Sequence, residues 1–127
     1  MKGGFLSKPA EVVNAENALE KAQKIFEDAQ ALKNKNDNEG AWKLFEQVLP
    51  TYRKHADKGK VAVCLEQLGL AASKVGGGKA GTERAWEALS ETVKILDDLG
   101  LGGHVETARV LMNLGVVCVQ LVRIDSY

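Results

Sequence analysis

The chain has 127 residues with 17 basic and 17 acidic side chains, so its formal net charge is zero. This balance gives no general electrostatic attraction to nucleic acid or to an anionic membrane surface. Hydrophobic residues make up 45% of the chain and charged residues 27%, which is typical of one globular domain and argues against a disordered chain. The first residues lack the long apolar run of a secretory signal, so we expect an intracellular, cytoplasmic protein.

Residues 1–8 are expected to form a flexible tail, and residues 9–127 one helical domain. The first helix should begin near Pro9, because proline is favoured in a first helical turn, where its missing N–H would have no partner. From there apolar residues recur at alternating spacings of three and four, which is the helical period. These residues are Ala15, Ala18, Ala22, Ile25, Ala29 and Leu32.

A second helix should follow the polar residues 34–38, with Asp37 or Asn38 as its N-terminal cap. Pro50 lies inside this helix and predicts a kink or a break, since proline cannot donate a backbone hydrogen bond and clashes with the preceding turn. Gly59 is the expected end of the helix.

The rest of the chain predicts three more helices. The third covers about residues 60–75, and the glycine-rich residues 76–81 form a loop. Thr82 should cap the fourth helix, and residues 100–103 should end it. The fifth helix covers about residues 104–122. No stretch alternates convincingly with a period of two, so we predict no sheet.

Two short sequences recur at a similar distance along the chain. Leu65-Glu66-Gln67-Leu68-Gly69 returns 46 residues later as Leu111-Met112-Asn113-Leu114-Gly115. Ala41-Trp42 followed by Phe45 returns 44 residues later as Ala85-Trp86 followed by Leu89. Two helical sequences that alternate with a common period predict repeated helix pairs, an architecture that usually binds other molecules.

These helix pairs resemble the tetratricopeptide repeat, whose two helices follow a Trp/Leu-x2-Leu-Gly-x2-Tyr and an Ala-x3-Phe-x2-Ala pattern. The first-helix pattern is matched by Leu65, Leu68, Gly69 and Ala72 and again by Leu111, Leu114, Gly115 and Cys118. The second-helix pattern is matched by Ala41, Phe45 and Val48 and again by Ala85, Leu89 and Thr92. The long spacing is similar to that of kinesin light chain repeats. The resemblance implies an all-α, right-handed solenoid of helical hairpins, with about five helices in two and a half repeats.

Gly69 and Gly115 are expected to lie where the two helices of a pair cross, because the absence of a side chain allows tight contact there. A leucine at either position should overpack the crossing. Cys64 and Cys118 lie in apolar helical stretches without a partner at metal-ligand spacing. We predict two buried free thiols, with a structural disulfide as the alternative.

In the tetratricopeptide family the first helix of each pair lines a concave groove that takes an extended or helical peptide. Asn113 matches an asparagine that light-chain-like repeats use to hold a peptide backbone, and Gln67 is its counterpart in the preceding pair. Glu66 and Leu70 depart from the polar clamp of chaperone-tail binders. The partner-binding residues implied by the resemblance are Gln30, Lys33, Glu66, Gln67, Leu70, Lys74, Arg109, Met112, Asn113, Val116 and Val119.

No residue pattern predicts catalysis, a cofactor or a metal site. Gly76-Gly77-Gly78-Lys79 departs from a phosphate-binding loop, because Ser73 and Ala80 stand where that motif needs its first glycine and its final hydroxyl residue. His55 and His104 lie far apart in sequence, near the ends of predicted helices. We therefore expect a protein that is not an enzyme and binds no cofactor.

The fifth helix is the most apolar segment. From residue 110 to residue 122 its only polar side chains are Asn113 and Gln120, and a helix of this length spans about 20 Å, too short for a bilayer. One alternative is that its own domain buries it on nearly all sides. The other is that Met112, Val116 and Val119, which share one side of the helix, meet another chain.

The sequence therefore favours a scaffold or adaptor that binds a protein or peptide along a concave face. The alternative is a structural subunit that docks in a larger complex, or in a homo-oligomer, through residues 104–122. We expect neither nucleic acid nor a membrane as a partner.

Overall fold

The computed structural model describes residues 8–75 and 78–125. They form five helices, which we number α1 (Ala10–Asn34), α2 (Asn38–His55), α3 (Lys58–Lys74), α4 (Lys79–Asp98) and α5 (Val105–Asp125). The described residues contain no strand, so the predicted all-α class is confirmed. The predicted tail lies outside the described residues except for Lys8, and so do Gly76 and Gly77 of the predicted loop.

Aspartate side chains cap two of the helices. The Asp37 carboxylate accepts a hydrogen bond of 3.0 Å from the backbone N–H of Gly40 at the start of α2, which confirms the predicted cap. The Asp57 carboxylate accepts one of 2.9 Å from Lys60 at the start of α3. Gly59 was expected to end the second helix, and this is wrong, because the Asp57 cap starts α3 before it and places it in the first turn.

Helix α2 continues through Pro50 to His55. Of the predicted kink or break, the break is therefore absent, and the kink stays a prediction. Pro50 is exposed, and the carbonyl one turn earlier loses its usual N–H donor.

Helix α4 begins at Lys79, three residues before the predicted cap at Thr82. The Thr82 hydroxyl instead donates to the backbone oxygen of Gly78. The early start is possible because Gly81 has no side chain: a Cβ there would lie 2.6 Å from the backbone oxygen of Ala72 in α3. The first turn of α4 thus packs directly on the α3 backbone, and the loop is shorter than predicted.

Consecutive helices pack in opposite directions. In α3 and α4, Gly81 lies beside Ala72, whereas Leu89, two turns later, lies beside Gly69, one turn earlier. In α1 and α2, Phe26 contacts Phe45 with ring centroids 5.3 Å apart, and the Tyr52 hydroxyl donates to Gln23, one turn earlier. Neighbouring helices therefore form antiparallel hairpins.

Helices α2 and α4, which are not neighbours in sequence, run parallel. Arg84 donates two hydrogen bonds to the Glu46 carboxylate, at 2.7 and 3.0 Å. Seven residues further along both helices, Arg53 donates two to Glu91, one of them at 2.8 Å. The partners of each pair are 38 residues apart, so the two helices advance in the same direction and in step.

The other three helices are joined in the same way. Lys33 of α1 donates to the Gln67 side chain of α3 at 2.6 Å, and Arg109 of α5 donates to both oxygens of Glu66 in α3 at 3.0 and 3.1 Å. The molecule thus has two layers, one of α1, α3 and α5 and one of α2 and α4.

Equivalent core positions are buried in the two hairpins. Ala41, Phe45 and Val48 of α2 are fully buried, and their counterparts 44 residues later in α4 are buried as well. These counterparts are Ala85, Leu89 and Thr92. The repeated sequence therefore marks a repeated packing face in α2 and α4.

Candidate partner-binding surfaces

Four of the eleven predicted partner-binding residues form two side-chain hydrogen-bonded pairs, Glu66 with Arg109 and Lys33 with Gln67. Glu66 is buried at 7% exposure, and its carboxylate is neutralised by Arg109. Lys33 is bonded to Gln67, and burial, followed by the charge of Lys74, lowers the pKa of the Lys33 amine against the opposing effect of Glu66. These side chains join α1 to α3 and α3 to α5. Long-range pairing of this kind gives no local signal in a sequence.

The other predicted residues lie in two groups. Gln30, Leu70 and Asn113 are half-buried and Lys74 is exposed along the layer of α1, α3 and α5. Met112, Val116 and Val119 of α5 are more open, at 74%, 59% and 52% exposure. The structure therefore places an apolar group on α5 next to a polar layer in which Glu66 is already paired with Arg109.

Helix α5 is covered on one side only. Thr107, Val110 and Val117 are buried against the rest of the protein, and Val110 and Val117 belong to the same apolar cluster as Leu89 of α4. The alternative in which its own domain buries this helix on nearly all sides is therefore wrong. No later helix in the described residues covers the remaining surface.

The repeated sequence contributes residues to two sides of α3 and α5. The two helices agree in burial on one side and differ on the other. On one side, Val61, Cys64 and Ala71 of α3 are buried, and so are their counterparts 46 residues later, Thr107, Val110 and Val117 of α5. On the other side, Ala62, Leu65, Gly69 and Ala72 of α3 are buried, whereas their counterparts in α5 are exposed. We call these counterparts, Ala108, Leu111, Gly115 and Cys118, the open face.

Gly115 shows the difference most directly. A Cβ at Gly69 would lie 2.9 Å from Cγ of Leu89, because α4 crosses α3 there. A Cβ at Gly115 would have no neighbour within 4 Å. The expectation that both glycines lie at helix crossings is correct for Gly69 and wrong for Gly115, since no helix in the described residues crosses α5 at that point.

The two cysteines differ in the same way. Both are free, but Cys64 is buried and Cys118 is exposed on the open face. Burial raises the pKa of the Cys64 thiol to about 12. The prediction of two buried thiols is therefore wrong for Cys118.

An open groove of about 630 Å³ runs between α4 and α5. Ser90 and Asp97 of α4 line one wall, and Thr107 and Leu111 of α5 line the other. Leu111 thus belongs both to the open face and to this groove.

Trp42 and Trp86 occupy equivalent places in α2 and α4 but have different neighbours. Trp42 is half-buried, donates to Glu46 at 3.0 Å and lies 3.7 Å from the position of a Cβ on Gly81. Trp86 is exposed, beside Leu121 of α5. The difference arises because α4 lies against Trp42 and no helix in the described residues lies against Trp86 in the same way.

By length and composition alone, the helical stretch Val105–Ile124 is long and apolar enough to cross a membrane. The sequence-based estimate was shorter because it stopped at the arginines that flank residues 110–122. One such helix is weak support for a membrane span. In the described part of the chain, no group of three or more His, Cys, Asp or Glu side chains could hold a metal ion.

Comparisons with known proteins give no match, either to a family model, to a curated protein or to a solved structure.

Proposed function

We propose that this chain is a non-enzymatic, cytoplasmic interaction module of tetratricopeptide-like hairpins, stacked as a right-handed solenoid, that docks on a partner protein through α5. The parallel course of α2 and α4 and the repeated burial of their core residues support the repeat architecture. The docking role is supported above all by one observation, the apolar side of α5 that the other described residues leave uncovered.

The exposed side chains of α5 form a continuous surface. Leu111, Met112, Val116, Val119 and Val122 are each at least 48% exposed and lie along about three turns of one helix. Monomeric soluble proteins rarely expose large contiguous apolar patches, and such patches commonly mark binding surfaces. Burying three of these side chains would contribute on the order of 1.5–3 kcal/mol each.

A protein partner fits α5 better than a bilayer does. To cross a membrane, α5 would have to leave α4, which would expose Val110 and Val117 and the cluster around Leu89. Helices that lie on membrane surfaces usually carry several basic residues on their polar side. Here α5 has only Arg109 and Arg123, and Arg109 is paired with Glu66.

The proposal is tested with the purified chain and a variant carrying Met112→Glu and Val119→Glu. We expect the parent to self-associate in light scattering or to bind a hydrophobic dye, and the variant to be a monomer that binds little dye. The matched control is Val12→Glu with Val13→Glu, exposed valines of α1, which should behave as the parent does. A monomeric parent that binds no dye would contradict the proposal.

A second proposal is that a peptide binds along the layer of α1, α3 and α5. It is favoured by Val63, which is exposed in α3, and by Leu70, which is half-buried on the same helix. Both are near the amide of Gln67 in sequence. Val63→Asp should remove binding of such a peptide and leave dye binding at α5 unchanged, and the reverse pattern would favour docking through α5.

A further inference from the structure

The partner of α5 can be described from what covers the same face in α3. There, α4 lies across the face, with Gly81 against the backbone of Ala72 and with Ala85 and Leu89 against Gly69. The covering helix therefore presents a small residue, a second small residue four positions later and a leucine four positions after that. This spacing places all three on one side of a helix.

The open face of α5 offers nearly the same surface. Alanine, leucine and glycine recur at 108, 111 and 115, and only the fourth position changes, from Ala72 to Cys118. The groove beside Leu111 is unfilled over about 630 Å³. A helix that packs on α3 thus finds matching shape on α5, with space already present for its leucine above Gly115.

Helix α4, which forms one wall of the open groove, indicates the charge that a helix bound there would carry. In the covered hairpin, α4 contacts α2 through the pair of Arg53 and Glu91, whose charges are opposite. The counterpart of Arg53, 44 residues later in α4, is Asp97, which lines the open groove. A helix seated there by the same rule carries a basic residue two positions after its leucine, where α4 has Glu91.

We propose that the open face and its groove bind one amphipathic helix of another polypeptide, packed as α4 packs on α2 and α3. That helix has the pattern small-x3-small-x3-Leu-x-Lys/Arg. This inference rests on the proposed function, because it names the kind of partner that α5 takes.

The probe is a labelled peptide with the sequence of α4, residues 79–98, in which Glu91 is replaced by lysine, and its binding to the whole chain is followed by fluorescence anisotropy. We expect it to bind about threefold to tenfold more tightly at low salt than the unchanged peptide, since a like-charge contact with Asp97 becomes an opposite-charge one. Asp97→Lys in the protein should reverse this preference. Equal affinities in every combination would contradict the proposed seating.

Shape is tested separately. Gly115→Leu should weaken binding at least about tenfold, because the added side chain fills the place of the peptide leucine. Gly103→Leu is the matched control, since it adds a leucine at an exposed glycine that also has open space around it. Bound peptide should also protect Cys118 from a maleimide. Circular dichroism checks that both variants stay helical.

The other outcomes separate this inference from the proposed function. If neither peptide binds while Met112→Glu with Val119→Glu still removes dye binding, the inference fails and docking through α5 stands. A dimer that Gly115→Leu dissociates would place a second copy on the open face and also overturn the inference. Insertion into vesicles of phosphatidylcholine and phosphatidylserine that protects Cys118 would overturn both.

Discussion

Helices α3 and α5 share a sequence and differ in their surroundings. Leu65 of α3 is fully buried, whereas its counterpart Leu111 in α5 is 48% exposed. The same holds for Gly69 and Gly115, and the cause in each case is α4, which covers one face of α3 and has no equivalent over α5 within residues 8–75 and 78–125. The comparison teaches that a repeat motif describes a surface made for a neighbour and leaves open whether that neighbour belongs to the same chain.

The largest difference expected between the two helices is in thiol reactivity. At pH 8 we expect a maleimide to modify Cys118 of the folded chain far faster than Cys64, because Cys118 is exposed, whereas Cys64 is buried and burial raises the pKa of its thiol to about 12. Mass spectrometry of timed, quenched samples measures both rates. In denaturant the two rates should converge, and similar rates in the folded protein would contradict the burial of Cys64.

The next largest difference between α3 and α5 is expected in the free energy of unfolding when the repeated leucine is truncated. Leu65→Ala should lower the free energy of unfolding by about 2–5 kcal/mol, because it leaves a cavity among packed side chains. Leu111→Ala should lower it by less than about 1 kcal/mol, since half of that side chain already faces water. Urea denaturation measures both values. Equal losses would mean that the open face is covered in solution.

Enlarging the repeated glycine should give effects of opposite sign. Gly69→Leu should destabilise the chain by about 1–3 kcal/mol, because α4 lies against that position. Gly115→Leu should stabilise it by up to about 1 kcal/mol, since leucine favours a helix more than glycine does and meets no neighbour. Thermal unfolding of both variants against the parent checks the signs. A destabilised Gly115→Leu chain would show that something crosses α5 there.

The smallest effect expected is a loss of stability at low pH. It arises from the two ion pairs between α2 and α4. Burial raises the pKa of Glu46, but hydrogen bonds from Arg84 and Trp42 outweigh it and hold the pKa below 4.5. The hydrogen bonds of Arg53 likewise lower the pKa of Glu91. Both carboxylates therefore contribute stability in full above pH 4.5, and the contribution is lost as the pH falls through their folded pKa values.

Glu46→Gln should accordingly lose less stability than the parent when urea denaturation at pH 7 is compared with pH 3. The control is Glu39→Gln, whose carboxylate lies on the surface 3.7 Å from the Lys43 amine and joins no helices to each other. An unchanged acid loss in Glu46→Gln would show that the pair with Arg84 does not form in solution.

The helix order, the Asp37 cap and the equivalent core positions of α2 and α4 could be predicted because they depend on local periodicity and capping chemistry. The start of α4 could not, since the close approach of Gly81 to Ala72 is a tertiary contact that overrides Thr82 as a cap. The candidate site was predicted in part. Met112, Val116 and Val119 are exposed, as expected if this side of the fifth helix meets another chain. Glu66 and Arg109, in contrast, pair across 43 residues, which no local pattern indicates. The repetition of Gly69 at position 115 was the one feature of the sequence that indicated the open face. It could be interpreted only after the structure showed that α4 covers Gly69.

The two ends of the layer formed by α1, α3 and α5 are chemically unlike. The outer side of α1 carries exposed charged residues such as Glu20, Lys24 and Glu27, whereas the outer side of α5 is apolar. Under the proposed docking through α5, a partner helix would therefore add to this layer at its apolar end, beside α5.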